Sequence, residues 1–469
     1  MRRMTGLLHT DLSRRHLLRL GAATLPAAAL AACVGPSPST TPAVSGPTSP
    51  TPPSPSPTPS PTPAPTPTPV PAPRIGSVLY RDGALVDARS DRPQLNVSIL
   101  VVDGVITWIR PTGGEEDPGG ALVIDAAGAS FVPGMIDCHS HVTGQGGANW
   151  IERFNDPADR LAAVAEENGT LASAAGVRWL RDVGSPIGVD PVDGRERALA
   201  LGVRDRWAGR VDRPYLRAAG SWLFKTGTIS MRNAVEAGNG DELLAAAMRQ
   251  LDDGANLIKL YMDGPDASVS PWTANEVASV VAGAHARGAK VTAHGGRLNG
   301  IREAVFGGVD SIEHGFELDA VVAGEMAARG TYLVSTLTVL RSWLTFGATT
   351  SMPRFAGAGS PAQIAARLEA AEASVRVARD AGVPICTGTD FGGGSARANH
   401  LAWEVESQVA AGLTPQMALA AATWRGGELL GEPEAGVIRE GGPADFFLVH
   451  GDPLSDPAAL WRVWRRAWD

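Results

Sequence analysis

Short apolar runs that end in polar residues recur from Met135 to Asp390, and alanine-rich stretches with helically spaced apolar positions lie between them. Runs of that length bounded by turns are buried strands, and their alternation with helices predicts parallel βα units. Strands are expected at Met135–His141, Val177–Asp182, Tyr215–Ala219, Asn256–Met262, Lys290–His294, Asp310–His314, Tyr332–Thr336 and Pro384–Asp390. Eight is the number with which such a barrel closes. Helices are expected at Asp159–Ala175, Gly240–Asp253, Thr273–Arg287, Leu298–Phe306, Asp319–Arg329 and Pro361–Ala381, then at His400–Ala411 and Pro415–Leu430.

From Ile75 to Phe131 the pattern is instead one of short strands and turns, with Asp-Gly pairs between apolar runs placed for hairpins. The segment GVIREGGPADFFLVHGDP near the end returns to strand character. The expected fold class is therefore α/β: a (β/α)8 TIM-type barrel over 133–434, beside a small composite β-sandwich built from 74–132 and 435–469. A length of 469 residues accommodates both. Hydrophobic residues at 44%, charged ones at 19% and a net charge of -8 fit a globular protein without the basic stripe that nucleic acid requires, so the expected partner is a small-molecule substrate.

The N-terminus has a different texture. Residues 1–33 read as an export signal, in which the paired arginine Arg14-Arg15 resembles the twin-arginine type and the apolar stretch Leu20–Ala32 is too short to span a bilayer. Leu30-Ala31-Ala32-Cys33 resembles the lipobox of bacterial lipoproteins, whose cysteine is lipidated; a plain cleaved signal with an incidental cysteine is the alternative. Residues 34–73 are almost wholly Pro, Ser, Thr and Ala and are expected to be an extended, disordered tether. The resulting expectation is an exported protein, lipid-anchored through Cys33 at the outer face of a bacterial cell membrane. Of the other cysteines, Cys138 is out of phase with His139 and His141, whereas Cys386 is in phase with Asp390. The two thiols are thus expected to face different layers, buried and unpaired.

His139 and His141 end an apolar strand two residues apart and project to one side, where two imidazoles can share a metal. Hydrogen-bonding core histidines would show the same spacing. What favours the metal is that Lys259, His294, His314 and Asp390 end other expected strands, and the strand C-termini of a βα barrel converge on one mouth. Tyr261, in phase with Lys259, and Arg181 and Arg297 near strand ends are candidates for binding the substrate, against the alternatives of packing and structural salt bridges. Trp150, Trp222 and Trp343 are expected in post-strand loops, as candidates for shaping the pocket against the alternative of simple packing.

These residues, with the stretches GVRWLRDVGS, GANLIKLY, GVDSIEHG, VPICTGTD and GVIREGGPADFFLV, resemble the amidohydrolase superfamily, in the branch that groups imidazolonepropionase-like proteins with metal-dependent prolidases and N-acyl amino-acid hydrolases. The resemblance covers the chain from about residue 75 onward and lacks none of the superfamily's ligand positions. It implies two divalent ions, with zinc the first expectation: one on His139, His141 and Asp390, the other on His294 and His314. It further implies that Lys259 carries a carbon dioxide-derived carbamate bridging them, since an ammonium has no lone pair to offer a cation. The implied reaction is hydrolysis of an amide or peptide-like carbon–nitrogen bond, possible substrates being dipeptides and N-acyl amino acids. A metal-bridging hydroxide attacks, and Asp390 acts as general base and then acid. A one-metal imidazolone hydrolase or deaminase is the nearest alternative, but that group carries glutamate where this chain has Arg297, and it has no use for Lys259. A non-catalytic surface-anchored binding lipoprotein is the alternative of another class.

Overall fold

Pro133-Gly134 marks the junction between two kinds of sheet, as the change of pattern there predicts. The computed structural model describes residues 76–115, 119–228 and 233–469. The expected export signal, Cys33 and the tether over 34–73 lie outside the described residues. Ahead of the junction run β1 (Ser77–Leu85), β2 (Gln94–Val102), β3 (Val105–Pro111), β4 (Leu122–Asp125) and β5 (Ala129–Pro133). Beyond it come β6 (Met135–Ser140), β7 (Val177–Asp182), the hairpin β8 (Ile187–Val189) and β9 (Glu196–Ala198), then β10 (Tyr215–Ala218), β11 (Leu223–Lys225) and β12 (Val235–Ala237). The series continues with β13 (Leu257–Tyr261), β14 (Lys290–Gly295), β15 (Ser311–His314), β16 (Tyr332–Ser335) and β17 (Ile385–Thr387), and ends with β18 (Phe446–His450) and β19 (Val463–Arg466).

Both ends of the described chain meet in one sheet of order β19-β18-β5-β1-β2-β3, with β4 paired to β1. The eight expected βα strands are present, but as two parallel ladders, β10-β7-β6 and β12-β11-β13-β14-β15-β16-β17. Single bridges, Ser140 to Phe391 and Ala219 to Leu257, join the two, so the strands do not form one continuous ladder. Every residue of β6, β7, β10, β15 and β17 is buried, as parallel strands covered on both faces must be.

Local signals explain several helix boundaries. Thr273 and Glu276 form a reciprocal capping box ahead of helix Ala274–His285, and Asp319 caps helix Ala320–Arg329 through Val322 N. The expected helix over Pro415–Leu430 is two helices, Pro415–Ala421 and Trp424–Leu430, broken at Thr423. The break lets Gly436 press on the backbone of Thr423, where a Cβ would come within 2.4 Å. Helices Leu199–Trp207 and Leu337–Phe346 were not expected. Leu337 to Leu340 are buried and follow β16 after Thr336 alone, with no side-chain cap to separate the helix from the strand.

Arg178 ties the parallel strands to the chain's end. Its side chain, buried in β7, donates from Nε to Asp445 Oδ1 at 2.7 Å just ahead of β18, and its guanidinium lies 4.1 Å from the Tyr215 ring centroid. Gly134 is needed beside it, since a Cβ there would lie 2.5 Å from Arg178 Cβ. Arg178→Ala leaves Asp445 without its cation and is expected to cost about 3–5 kcal/mol, read as a lowered urea midpoint. An unchanged midpoint contradicts this coupling.

Candidate functional site

The register of β6 against β7 shifts between Asp137 and Ser140, and a bulge of this kind re-aims the side chains that follow it. Its effect is that neighbouring residues both reach the interior of the strand layer. Cys138 packs with Ile136, Val334 and Cys386, while His139 Nδ1 meets Glu313 Oε2 at 2.6 Å. The expectation that Cys138 and Cys386 face different layers is therefore corrected. Both are free thiols, but they share one buried cluster. Strict alternation fails at the bulge, and again after β17, which stops at Thr387 rather than continuing to Asp390.

Two more backbone departures shape the site. His314 has φ 72° and Asp390 φ 54°, left-handed conformations that cost a non-glycine residue about 1–2 kcal/mol. At His314 the twist brings adjacent residues of β15, Glu313 and His314, into the same cluster around His139. Near Asp390, Gly388 packs on His139 and Gly393 on His141, where Cβ atoms would fall 2.4 Å from His139 Cβ and 1.9 Å from His141 Cδ2.

Each of the four candidate histidines has one ring nitrogen engaged by the protein. His139 Nδ1 bonds Glu313, His141 Nδ1 donates to Gly184 O at 2.7 Å, His314 Nδ1 meets Thr336 Oγ1 at 2.8 Å, and His294 Nε2 meets Asp263 Oδ2 at 3.1 Å. The opposite nitrogens remain. His139 Nε2 and His141 Nε2 lie 3.5 and 3.3 Å from Asp390 Oδ1, and His314 stands 4.6 Å ring to ring from both His139 and His294. Ligand atoms of His139, His314 and Asp390 all fall within 4.8 Å of one another, close enough to hold one ion. Burial, and then the neighbouring His294 and His139, hold the His314 imidazole well below its ordinary pKa, so it keeps a lone pair. Burial alone would raise Asp390, but His139 and His141 hold its carboxyl well below the usual range.

Lys259 is buried in the middle of β13 rather than at its end, and among the described residues it has neither a hydrogen-bond partner nor a carboxylate within 4.0 Å. Burial lowers its pKa to about 8, against the opposing pull of Glu313 and Asp390. The lowered pKa raises the share of neutral amine, the form that carbamate formation requires.

Tyr261 stacks on His294 with centroids 3.9 Å apart and planes inclined by 8°. Arg297 stands just past β14, half exposed and 3.8 Å from Glu317. Arg181 is not where a substrate would meet it. Its side chain is buried, with Nη2 on Glu313 Oε1 at 2.6 Å and Nη1 on Ser311 Oγ at 3.1 Å, so the substrate-binding expectation for it is corrected to an internal ion pair. Trp222 lies in a loop against His141, but Trp150 and Trp343, expected in loops, belong to helices Trp150–Arg153 and Leu337–Phe346 and stack on each other 5.6 Å apart.

Sequence reasoning missed the supporting carboxylates. Strand alternation sets Glu313 on the face opposite His314, which concealed it; only adjacency to a candidate ligand would have pointed to it. Asp137 accepts from the backbone N–H groups of His139 and Thr389, tying β6 to the Asp390 loop. Asp182 accepts from Val142 N and Gly184 N, which fixes the carbonyl that His141 uses.

The amidohydrolase family profile matches residues 131–464. An uncharacterised protein of Mycobacterium tuberculosis (strain ATCC 25618 / H37Rv) is 30% identical over 373 residues, covering 78% of this chain and 88% of the relative. The imidazolonepropionase of Deinococcus deserti is 25% identical over 387 residues, 77% of this chain and 88% of its own. Among solved structures, a Xaa-Pro dipeptidase with methionine bound in its active site superposes with a TM-score of 0.71 at 25% identity, over 84% of this chain and 99% of that one.

The His141 ring is confined by Trp222, Phe154 and Gly184 O, so it has little room to yield to a new Cβ. Gly393→Ala is expected to displace the ring and to cost about 1–3 kcal/mol of stability. A crystal structure of the variant with His141 undisturbed contradicts the packing described.

Proposed function

The chain belongs to the amidohydrolase family, in the branch of imidazolonepropionase-like and prolidase-like proteins, and is a hydrolase of carbon–nitrogen bonds; we propose that it cleaves the amide of a dipeptide or N-acyl amino acid at a two-metal centre. His139, His141 and Asp390 would hold one divalent ion and His294 and His314 the other, with a carbamate on Lys259 between them. The observation that carries this reading is Lys259, a buried amine with no carboxylate within 4.0 Å among the described residues, in a site that otherwise offers imidazoles and a carboxylate. A one-ion site has no use for it. Imidazole and oxygen donors suit zinc first, then manganese, cobalt or iron.

Divalent ions bound there supply Lewis acidity that polarises a carbonyl oxygen and lowers the pKa of water to about 7. Asp390, ionised at rest, takes the proton of the attacking water and passes it to the leaving nitrogen. Glu313 and Gly184 O hold the rings of His139 and His141 with Nε2 presented. Tyr261 has no hydroxyl partner among the described residues and is available to the substrate carbonyl or carboxylate. Trp150, Trp222 and Trp343 exclude water beside the reacting bond.

The same reading takes the two parallel ladders as halves of one barrel wall, and the sheet formed by both ends as the composite β domain. From the sequence alone it also keeps export by the N-terminal signal and lipid anchoring through Cys33. Hydrolysis of a panel of dipeptides and N-acyl amino acids by metal-loaded protein tests the central reading. Asp390→Asn is expected to lower kcat about 10²- to 10⁴-fold. Absence of amide cleavage by fully metallated wild type refutes it.

A further inference from the structure

Arg367 projects from helix Ser360–Asp380, a segment in which its sequence neighbourhood signals nothing but a solvated helix face. Its guanidinium carbon lies 5.0 Å from the ring centroid of Phe316 and 5.9 Å from that of Trp343. Phe316 in turn stands 5.3 Å from the His314 ring, and a Cβ on Gly296, two residues past His294, would lie 3.6 Å from Arg367 Nη2. This cation therefore stands at the strand ends that carry His294 and His314.

It is also uncommitted. The neighbouring arginines have carboxylates: Arg341 has Glu372 at 2.6 Å, Arg354 has Glu152 at 3.3 Å, and Arg297 has Glu317 at 3.8 Å. Among the described residues no carboxylate lies within 4.0 Å of Arg367, and the nearby Asp263 is taken by His294, Gly296 N and Arg297 N. Partial desolvation among the rings, and then the like charge of Arg297, press its pKa downward. Arg367 is exposed, and a guanidinium flanked by aromatic faces and left without an anion is open to a carboxylate that arrives with a ligand. The apolar surface beside it, where Trp343 stacks on Trp150, suits an apolar side chain on that ligand.

We propose that Arg367, held between Phe316 and Trp343, is the residue that binds the free carboxylate of the substrate and so makes an apolar N-acyl amino acid or dipeptide preferred over a neutral amide. The proposal rests on the amide-hydrolase reading above and narrows its substrate class. It assigns the role to a residue outside the strand-end set, where Arg181 is buried and Arg297 already faces Glu317.

The test is equilibrium binding to metal-loaded protein carrying Asp390→Asn, so that ligands are not consumed. The probes are N-acetylated apolar amino acids and their uncharged carboxamides. The acids are expected to bind about 10- to 100-fold more tightly than the carboxamides, as a charged hydrogen-bonded contact implies. Adding Arg367→Gln is expected to abolish that preference while leaving carboxamide affinity unchanged, and Arg367→Lys to retain part of it. Equal binding of acid and carboxamide, or a preference that survives Arg367→Gln, overturns the proposal. Hydrolysis assays separate the two readings. Amide cleavage with an acid preference indifferent to Arg367 sinks this proposal alone, whereas an Arg367-dependent acid preference without any amide cleavage sinks only the hydrolytic reading.

Discussion

Glu313 keeps a carboxylate with no solvent exposure in the middle of the strand layer, bonded at once to His139 Nδ1 and to the Arg181 guanidinium, each at 2.6 Å. Taking an ionised carboxylate out of water costs several kcal/mol, so the group persists there only because its oxygens are satisfied. Ser311 Oγ and Thr292 Oγ1 supply the remaining hydrogen bonds. Burial would raise the pKa of this carboxyl, but Arg181 and His139 hold it well below the ordinary range. A fixed anion behind His139 sets which nitrogen the ring offers to the site. The same anion and Asp390 temper the buried Lys259, whose pKa settles at about 8 rather than lower.

That arrangement demands departures from regular strand geometry. Without the β6 bulge, Cys138 and His139 would point to opposite faces, and without the left-handed turn at His314, Glu313 and His314 would do so too. The chain compensates for the strained conformations at His314 and Asp390 with dense hydrogen bonding. Asp137 grips the Asp390 loop, Asp390 N donates to His139 O at 2.8 Å, and His141 N donates to Phe391 O at 2.9 Å. Backbone strain concentrated around a cluster of candidate ligands is a common mark of a functional site.

Much of this was legible in the sequence, for a definite reason. Parallel strands are largely apolar and their C-terminal ends converge on one mouth, so residue types that bind metal near the ends of the runs marked the site, and His139, His141, Lys259, His294 and His314 were found in that way. What misled was the assumption of unbroken alternation, which separated Cys138 from Cys386 and set Glu313 on the wrong face. Arg181 ended a strand run like a ligand but serves Glu313 from inside. Arg367 was invisible because its meaning comes from Phe316 and Trp343, which lie far from it in sequence and reach it only through the fold. The helix carrying Trp343 was missed because it follows β16 after Thr336 alone, with no side-chain cap to mark its start.

The proposed chemistry requires that these side chains bind metal as one unit, with Lys259 as the bridge. Titration of the metal-depleted full chain with zinc in bicarbonate buffer, followed by calorimetry and elemental analysis, addresses this directly. Wild type is predicted to take up close to two equivalents and Lys259→Ala about one. A wild-type chain that binds no zinc tightly, or a Lys259→Ala chain that still binds two equivalents with unchanged affinity, contradicts it.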